Sequence, residues 1–306
     1  MVTHMRTTGR PTGFFHDLFL RNFSSKLAVT PMVLTVLVIF IGCTAWTVTY
    51  SFTNSRLLPS LDFIGFDQYV RLFKDSRWQT SVRNIAIYGV FSLTFTMVVG
   101  FLLAVLMDQK IRFESVFRTV YLYPFALSFI VTGLVWQWIM NPAFGLQESV
   151  RNLGWAGFTF DWLTNRNMVI GALLIAGIWQ GTGFVMVLLL AGLRSVDEEV
   201  WKAARVDGIP TWRTYISIII PMMRGTFVTT FVIVGSGIVR LYDLVVALTG
   251  GGPGISSEVP TKYVFNYMFG AGNIGQGLAA STVMLLTVLI ILIPWAFYEF
   301  RPRRDR

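Results

Sequence analysis

Charged and hydrogen-bonding side chains inside long apolar runs are the residues of this sequence that can do chemistry, because such groups are costly in hydrocarbon. Arg240 and Asp243 lie three residues apart in one apolar run, a spacing that puts both on one face of a helix. They can neutralise each other as an internal ion pair, or they can hydrogen-bond the hydroxyl groups of a polar solute. Tyr242 is next to Asp243 but lies about 100° further round the helix.

A second polar cluster, Trp179 and Gln180, lies in another apolar run beside Gly181 and Gly183. An aromatic ring can stack on the C–H face of a sugar, and an amide can hydrogen-bond its hydroxyl groups. The same pattern also suits a tryptophan that packs against glycine on a neighbouring helix. The sequence leaves both interpretations open.

Patterns for other kinds of chemistry are missing from the sequence. It has no HExxH pattern for a metal and no GxxxxGK[ST] loop for nucleotide phosphates. The glycine loop, residues 250–254 with Gly251, Gly252 and Pro253, lacks the Lys-Ser/Thr of a P-loop. Because glycine relieves backbone strain and proline stops a helix, we expect a non-helical loop there, either a gate or a plain connection. We expect no catalytic residue, metal or cofactor in this chain.

The stretch from Val196 to Pro221 is densely charged, although apolar runs flank it on both sides. Ser195 and Glu198 form a capping-box pattern that predicts a helix starting near the beginning of the stretch. Asp207-Gly208 predicts the end of that helix, and Pro210 suits the first turn of a second one. The pattern therefore predicts two short helices joined by a tight turn.

One face of this hairpin is predicted to be apolar, because Val200, Ala203 and Ala204 fall on the same side of the first helix. Large apolar side chains follow close by, namely Trp201, Ile209 and Trp212. Such a hairpin can lie on lipid headgroups. It can also dock on another protein, since tryptophan is favoured in the centre of interfaces.

Composition assigns the chain to the polytopic membrane proteins. Hydrophobic residues make up 54% of it and charged residues 13%, about half the usual charged share of a soluble domain. Six apolar runs reach the roughly 20 residues that a helix needs to cross a bilayer. The predicted spans are Leu27–Phe52, Asn84–Met107, Thr119–Met140, Met168–Gly192, Met222–Leu248 and Gly277–Tyr298. The fold class predicted is all-α, with six transmembrane helices.

Lysine and arginine placement gives the orientation. Basic residues are frequent in segments 1–26 and 299–306, in the loop after the second span and in loop 195–221, and six spans put all four on one side. By the positive-inside rule, both termini and this loop are predicted to be cytoplasmic, with a transmembrane domain over residues 27–298. The first outside loop weakens the contrast, since it holds Arg56, Arg71, Lys74, Arg77 and Arg83. We attribute the net charge of +9 to the basic residues that set the membrane topology, and not to nucleic-acid binding.

The order of residues in loop 195–221 resembles the cytoplasmic EAA loop of ABC-importer permeases. The matching residues are Ala203, Ala204, Asp207, Gly208, Tyr215, Ile218 and Pro221. Segments 64–78, 241–254 and 263–285 are similar to stretches found in the same order in carbohydrate-uptake permeases, and some short stretches resemble subunits of glucose/mannose and α-glucoside importers. The resemblance covers nearly the whole chain and implies the type I ABC importer permease fold.

This resemblance implies the partners and the function. Members of the family carry a substrate from a periplasmic binding protein through two homologous permease subunits, in the bacterial inner membrane, by alternating access. Two cytoplasmic ATPase subunits bind ATP and Mg, so this chain is not itself an enzyme. The coupling contact is implied to include Glu199, Lys202, Ala203, Ala204, Asp207 and Gly208, and Gly251, Gly252 and Pro253 are implied to lie at an outer gate or binding-protein contact.

One position departs from the family pattern, because Lys202 stands where the family has glutamate. A charge reversal at a contact is unfavourable unless the partner has changed too. We hypothesise that the ATPase presents an acidic or neutral group there, or that Glu198 or Glu199 takes over the role.

Alternatives to a sugar permease stay open in the sequence. The chain can be the permease of another ABC substrate class, such as glycerol phosphate or a polyol. An exporter or an ion-coupled carrier can use Arg240 and Asp243 as a relay, but would not need loop 195–221. A membrane-embedded enzyme lacks any supporting motif.

Overall fold

The computed structural model describes Leu27, residues 29–109 and residues 111–299. Segment 1–26, Ala28, Lys110 and residues 300–306 of the predicted tail lie outside the described residues. The described part is built from helices: α1 Val29–Tyr50, α2 Asp67–Lys74, α3 Ser76–Asp108, α4 Glu114–Ala126, α5 Phe129–Ile139, α6 Leu146–Asn152, α7 Val169–Arg194, α8 Glu198–Val206, α9 Thr211–Met222, α10 Arg224–Val239, α11 Asp243–Thr249, α12 Pro260–Phe265 and α13 Ile274–Glu299.

The all-α multi-pass prediction is confirmed. Helices α1, α3, α7 and α13 are each long and apolar enough to cross a membrane, and the number rises to six if two bent helix pairs are each counted as one span. The predicted bounds of the fourth and sixth spans lie within three residues of α7 and α13. The second span begins earlier than predicted, at Ser76, because the Asp75 carboxylate caps the helix by accepting the N–H of Arg77 at 2.8 Å.

The third predicted span, Thr119–Met140, is wrong as a single helix. Helices α4 and α5 meet at an angle of 97°. Leu127 between them has extended backbone angles, and the Ser128 hydroxyl accepts the N–H of Val131 at 3.3 Å to start α5. The apolar run is continuous in sequence, but a local cap breaks the helix inside it.

The fifth predicted span, Met222–Leu248, is also wrong as a single helix. Helix α9 bends by 72° into α10, and α10 ends at Val239. The chain then leaves helical geometry at Tyr242 before α11 begins. The Thr261 hydroxyl donates a hydrogen bond to the carbonyl of Leu241, so a residue of α12 satisfies a backbone group at the break.

Helix α7 is the central helix of the bundle. In its most apolar stretch 56% of the residues are buried, compared with 28% in α3 and 28% in α13. Close packing on α7 depends on glycine. A Cβ atom at Gly183 would lie 1.8 Å from the carbonyl oxygen of Tyr121 on α4, and one at Gly177 would lie 2.0 Å from the Tyr88 hydroxyl on α3. Small residues let helix backbones approach each other, which is how membrane helices gain packing energy.

The bundle has two ends. The hairpin end carries Gln109, residues 111–113 and the loop 195–221, whereas the glycine-loop end carries residues 51–75 and 250–273. Buried apolar side chains fill the bundle near both ends, around Leu189 towards the hairpin and around Leu244 towards the glycine loop.

We predict that Gly183→Ala destabilises the protein by about 1–3 kcal/mol, because the new methyl group forces α4 away from α7. Thermal unfolding of the purified protein in detergent measures this effect as a lower Tm. Gly181→Ala is the matched control on the same helix, since its Cβ would make an ordinary 3.5 Å contact with Thr96. Equal Tm values for the two variants would contradict the packing argument.

Candidate coupling and transport site

The cap of the first hairpin helix lies two residues after the predicted one. Asp197, and not Ser195, caps α8 by accepting the N–H of Glu199 at 3.0 Å. The Ser195 hydroxyl instead donates to the carbonyl of Gly192 at 2.7 Å, at the end of α7. The capping-box prediction is therefore wrong in its residues, although the helix starts within two residues of the expected place.

The predicted end of this helix is confirmed and has a defined geometry. Gly208 adopts a positive φ of 68°. Its N–H bonds to the carbonyl of Arg205 at 3.1 Å, and the N–H of Ile209 bonds to the carbonyl of Ala204 at 3.0 Å. These two bonds form a Schellman motif, in which glycine takes the left-handed position at little cost. The turn between the two hairpin helices is thus fixed by backbone hydrogen bonds.

A chain of aromatic rings seats the hairpin on the transmembrane helices. The Trp201 ring packs against Tyr215 with centroids 5.1 Å apart, Tyr215 against Phe101 of α3 at 6.5 Å, and Phe101 against Phe227 of α10 at 5.4 Å. Ala204, on the side of α8 that faces the protein, is buried with 4% exposure. Ala203, which the helical periodicity places on the same side of α8 as Val200 and Ala204, is exposed.

The other predicted coupling residues form the free surface of the hairpin. They are Glu199, Lys202, Ala203, Asp207 and Gly208, all of them exposed. The Lys202 ammonium lies 3.4 Å from the Glu198 carboxylate, one turn away on the same helix, and both side chains are largely exposed. Lys202 therefore already has an acidic neighbour within the hairpin. An exposed ion pair of this i,i+4 type contributes about 0.3–0.5 kcal/mol to stability.

Trp179 lies at the middle of α7 and is 40% exposed, although its neighbours on that helix are buried or half-buried. It comes ten residues after Val169, about 15 Å along the helix, which is half of a hydrocarbon core about 30 Å thick. Its ring meets Trp136 of α5 edge-to-face, with centroids 5.9 Å apart. The pair presents aromatic surface near the middle of α7.

Gln180, the next residue, points into the protein with 2% exposure. Its amide nitrogen donates to the carbonyl of Leu127 at 2.8 Å, at the break between α4 and α5. Its amide oxygen has no hydrogen-bond partner within the described part of the chain. Gln180 thus supports the broken helix, and its amide oxygen is buried.

The break after α10 separates residues that were predicted to share a helix face. Arg240 lies after the end of α10, and Asp243 begins α11. Both are exposed, and among the described residues neither forms an ion pair. Tyr242 is half-buried, with its ring 5.5 Å from that of Phe265. The prediction of one shared helix face is wrong, but the three side chains still lie at one break in the chain.

The glycine loop has a fixed, non-helical course, as predicted. Gly250 ends α11 with φ 62°. Gly251 is buried with φ 91°, and a Cβ there would meet the Lys262 side chain at 2.3 Å. The N–H of Gly251 donates to the Thr249 hydroxyl at 3.1 Å. The Ser257 hydroxyl donates to the carbonyl of Gly252 at 2.8 Å. Gly252 and Pro253 are half-buried in this turn.

A buried carboxylate, which the sequence analysis missed, joins the glycine loop to α3. Glu258 is 1% exposed, and the Arg77 guanidinium donates to it at 2.5 Å. The Asn266 amide donates to its second oxygen at 3.1 Å. The amide of Asn84 bonds the carbonyls of Ser256 and Glu258 at 3.0 and 2.9 Å. The partners are far apart in sequence, so no local pattern indicated this cluster.

Asp75 is a second carboxylate at the same end. It accepts hydrogen bonds from the hydroxyls of Tyr263 at 2.7 Å and Tyr267 at 2.5 Å, in addition to capping α3. Burial acts to raise the pKa of Asp75, but these hydroxyls and the backbone N–H of Arg77 together hold it below the usual value. Gln276 of α13 donates to the Tyr263 hydroxyl at 2.8 Å, so the network joins α3, α12 and α13.

We predict that Glu258→Gln lowers stability by about 1.5–3 kcal/mol, because Arg77 loses a charged hydrogen-bond partner. The Tm of the purified protein measures the loss. Glu198→Gln serves as control, since it removes an exposed ion pair and should cost less than about 0.5 kcal/mol. Similar Tm shifts for both variants would show that the cluster does not hold this end of the bundle together.

Comparison with known proteins agrees with this architecture. Residues 96–306 match the family described as binding-protein-dependent transport system inner membrane component. A probable ABC transporter permease protein of Pyrococcus horikoshii is 33% identical over 277 residues, covering 90% of this chain and 95% of that protein. A xylose/arabinose import permease protein of Haloferax volcanii is 31% identical over 275 residues, covering 89% and 86%.

A solved structure shares the fold. It is a bacterial alginate ABC transporter in complex with an alginate pentasaccharide-bound periplasmic protein, and one of its chains superposes with a TM-score of 0.81 at 18% identity over 96% of this chain and 99% of that chain. Together with the matched family and the relatives in sequence, this shared fold confirms the expected architecture. The chain therefore belongs to the family of binding-protein-dependent transport system inner membrane components, the permease subunits of ABC importers.

Proposed function

We propose that this chain passes a sugar from a periplasmic binding protein to the cytoplasm, as one of two homologous permease subunits. The observation that carries this proposal is the capped hairpin of residues 195–221, which presents a rigid exposed surface and is seated on α3 and α10 by aromatic rings. A hairpin of this construction suits force transfer from a partner subunit. The sugar-import relatives and the sugar-binding chemistry of Trp179 support the choice of substrate class.

In this proposal the hairpin end is cytoplasmic, together with both chain termini, and the glycine-loop end is periplasmic. Of the two partner ATPases, one docks on Glu199, Lys202, Ala203, Asp207 and Gly208 of this chain, with Ala204 supporting the surface from beneath. They bind ATP and Mg, and their cycle shifts the permease pair between inward- and outward-facing states. Gly251, Gly252 and Pro253 then lie at the outer gate or the binding-protein contact.

The proposed sugar pathway runs past two helix breaks. Trp179 offers an exposed stacking surface near the middle of α7, and Gln180 beside it holds the break at Leu127. Arg240, Tyr242 and Asp243 lie at the other break, nearer the glycine-loop end. Irregular backbone at membrane depth is tolerated where it lines a cavity, as in other transporters with discontinuous helices.

The complex reconstituted with its partner permease, ATPases and binding protein tests this function. We predict that one or more members of a sugar panel stimulate ATP hydrolysis and are transported, and that Trp179→Ala lowers transport about 3- to 10-fold through loss of stacking energy of about 0.5–1.5 kcal/mol. Trp138→Ala is the control, since Trp138 on α5 is exposed and makes no ring contact within the described residues. No response to any sugar would refute the substrate class, and an unaffected Trp179→Ala variant would refute the pathway.

Lys202 is tested in the same complex. We predict that Lys202→Glu lowers sugar-stimulated ATPase activity, because it removes a charge that faces the ATPase and places a second acid one turn from Glu198. Glu198→Gln breaks the contact within the helix but keeps Lys202, so it separates the two effects. Unchanged or improved coupling in Lys202→Glu would contradict an acidic partner for Lys202 on the ATPase.

A further inference from the structure

An ion cluster at the hairpin end joins three transmembrane helices. Arg194, the last residue of α7, donates to the carboxylate of Glu114 at 2.8 Å, and its Nε lies 3.7 Å from the carboxylate of Asp108. Asp108 ends α3, and Glu114 begins α4. One guanidinium therefore connects both sides of the α3–α4 turn to the end of α7.

The position of Arg194 in the chain gives this cluster its significance. It lies three residues before Asp197, the cap of the first hairpin helix. Any displacement of the hairpin therefore reaches α7 directly through a short, capped connection. The α3–α4 turn has no such covalent link to the hairpin, and Arg194 is the charged contact that joins it to α7.

The aromatic seat of the hairpin does not replace this contact. A cleft of about 770 Å³ is lined both by the ion cluster, through Asp108, Glu114 and Arg194, and by the hairpin, through Trp201 and Ala204. The hairpin is thus joined to the spans in two ways. The rings of Trp201 and Tyr215 pack towards α3 and α10, and the chain itself connects the hairpin to Arg194 at the end of α7. The open cleft leaves room for the hairpin to move between them.

The chemistry of the contact suits arginine. A guanidinium presents several N–H donors in a rigid fork, so it can serve two carboxylates on different helices at once, whereas a lysine ammonium is a single point charge on a flexible stem. The side chains are partly exposed, 41% for Arg194 and 25% for each acid. An ion pair this exposed adds little to stability, so its main effect is on position.

We propose that Arg194 is a positioning residue for transport, which makes the α3–α4 turn follow α7 when the ATPases move the hairpin. The proposal rests on the function given above. Without Arg194 the hairpin still engages the ATPases and α3 and α4 still pack on α7, but the helix ends at Asp108 and Glu114 are no longer held to the end of α7 and lag behind it. ATP hydrolysis then continues while fewer sugar molecules cross.

The test is the number of sugar molecules transported per ATP hydrolysed by the reconstituted complex. For Arg194→Gln we expect this ratio to fall about 3- to 10-fold, equivalent to roughly 0.7–1.4 kcal/mol of lost coupling, with a Tm close to wild type. Arg194→Lys should recover part of the ratio, because it restores the charge without the fork. Asp108→Asn combined with Glu114→Gln should reproduce the defect, and adding Arg194→Gln to that pair should not deepen it.

Arg118→Gln is the matched control. Arg118 also binds Glu114, at 2.9 Å, but both residues belong to α4, so this pair ties no helices together. The Arg118→Gln variant should keep the wild-type ratio. A normal ratio in Arg194→Gln, or a loss of Tm and yield without a change in ratio, would overturn the proposal. If the wild-type complex transports no sugar, the proposed function fails instead, which keeps the two failures distinguishable.

Discussion

Hydrocarbon offers no hydrogen-bond partner, so a backbone group freed by a helix break inside the bilayer must be satisfied from within the protein. Two breaks in this chain meet that condition through distant side chains. Gln180 bonds the carbonyl of Leu127, and Thr261 bonds the carbonyl of Leu241. Helices α7 and α12 supply these donors and so stabilise the bent helices. The residues proposed for the sugar pathway lie beside these two bonds, so the pathway depends on them.

The two ends of the bundle are held together by different kinds of contact. At the glycine-loop end, Glu258 and Asp75 are enclosed by donors from several helices. At the hairpin end, the ion pairs around Arg194 are partly exposed, and a cleft lies beside them. Charged hydrogen bonds are worth more in buried sites than at exposed ones. The hairpin end is therefore the one better suited to small rearrangements during a transport cycle.

Sequence patterns were reliable where a local rule decides the outcome. Asp207-Gly208 ends the hairpin helix, as expected, because only a left-handed residue completes the Schellman motif. Local rules compete at the start of the same helix, where Ser195 and Asp197 are both good caps. The hydroxyl of Ser195 bonds the end of α7 instead, so Asp197 takes the cap. The end of α7 therefore decides which residue caps the helix, and the properties of Ser195 and Asp197 alone do not.

The sequence by itself determined the class of protein, most of the spans and the hairpin, because hydropathy and turn chemistry act over short distances. It also carried the resemblance that the family match confirmed. Only the tertiary structure decided that the third and fifth spans are broken, that Arg240 and Asp243 do not share a helix face, and that Glu258 is a buried ion-pair partner. Each of these outcomes depends on a side chain from a distant segment, which supplies a hydrogen bond or a charge that no local pattern contains.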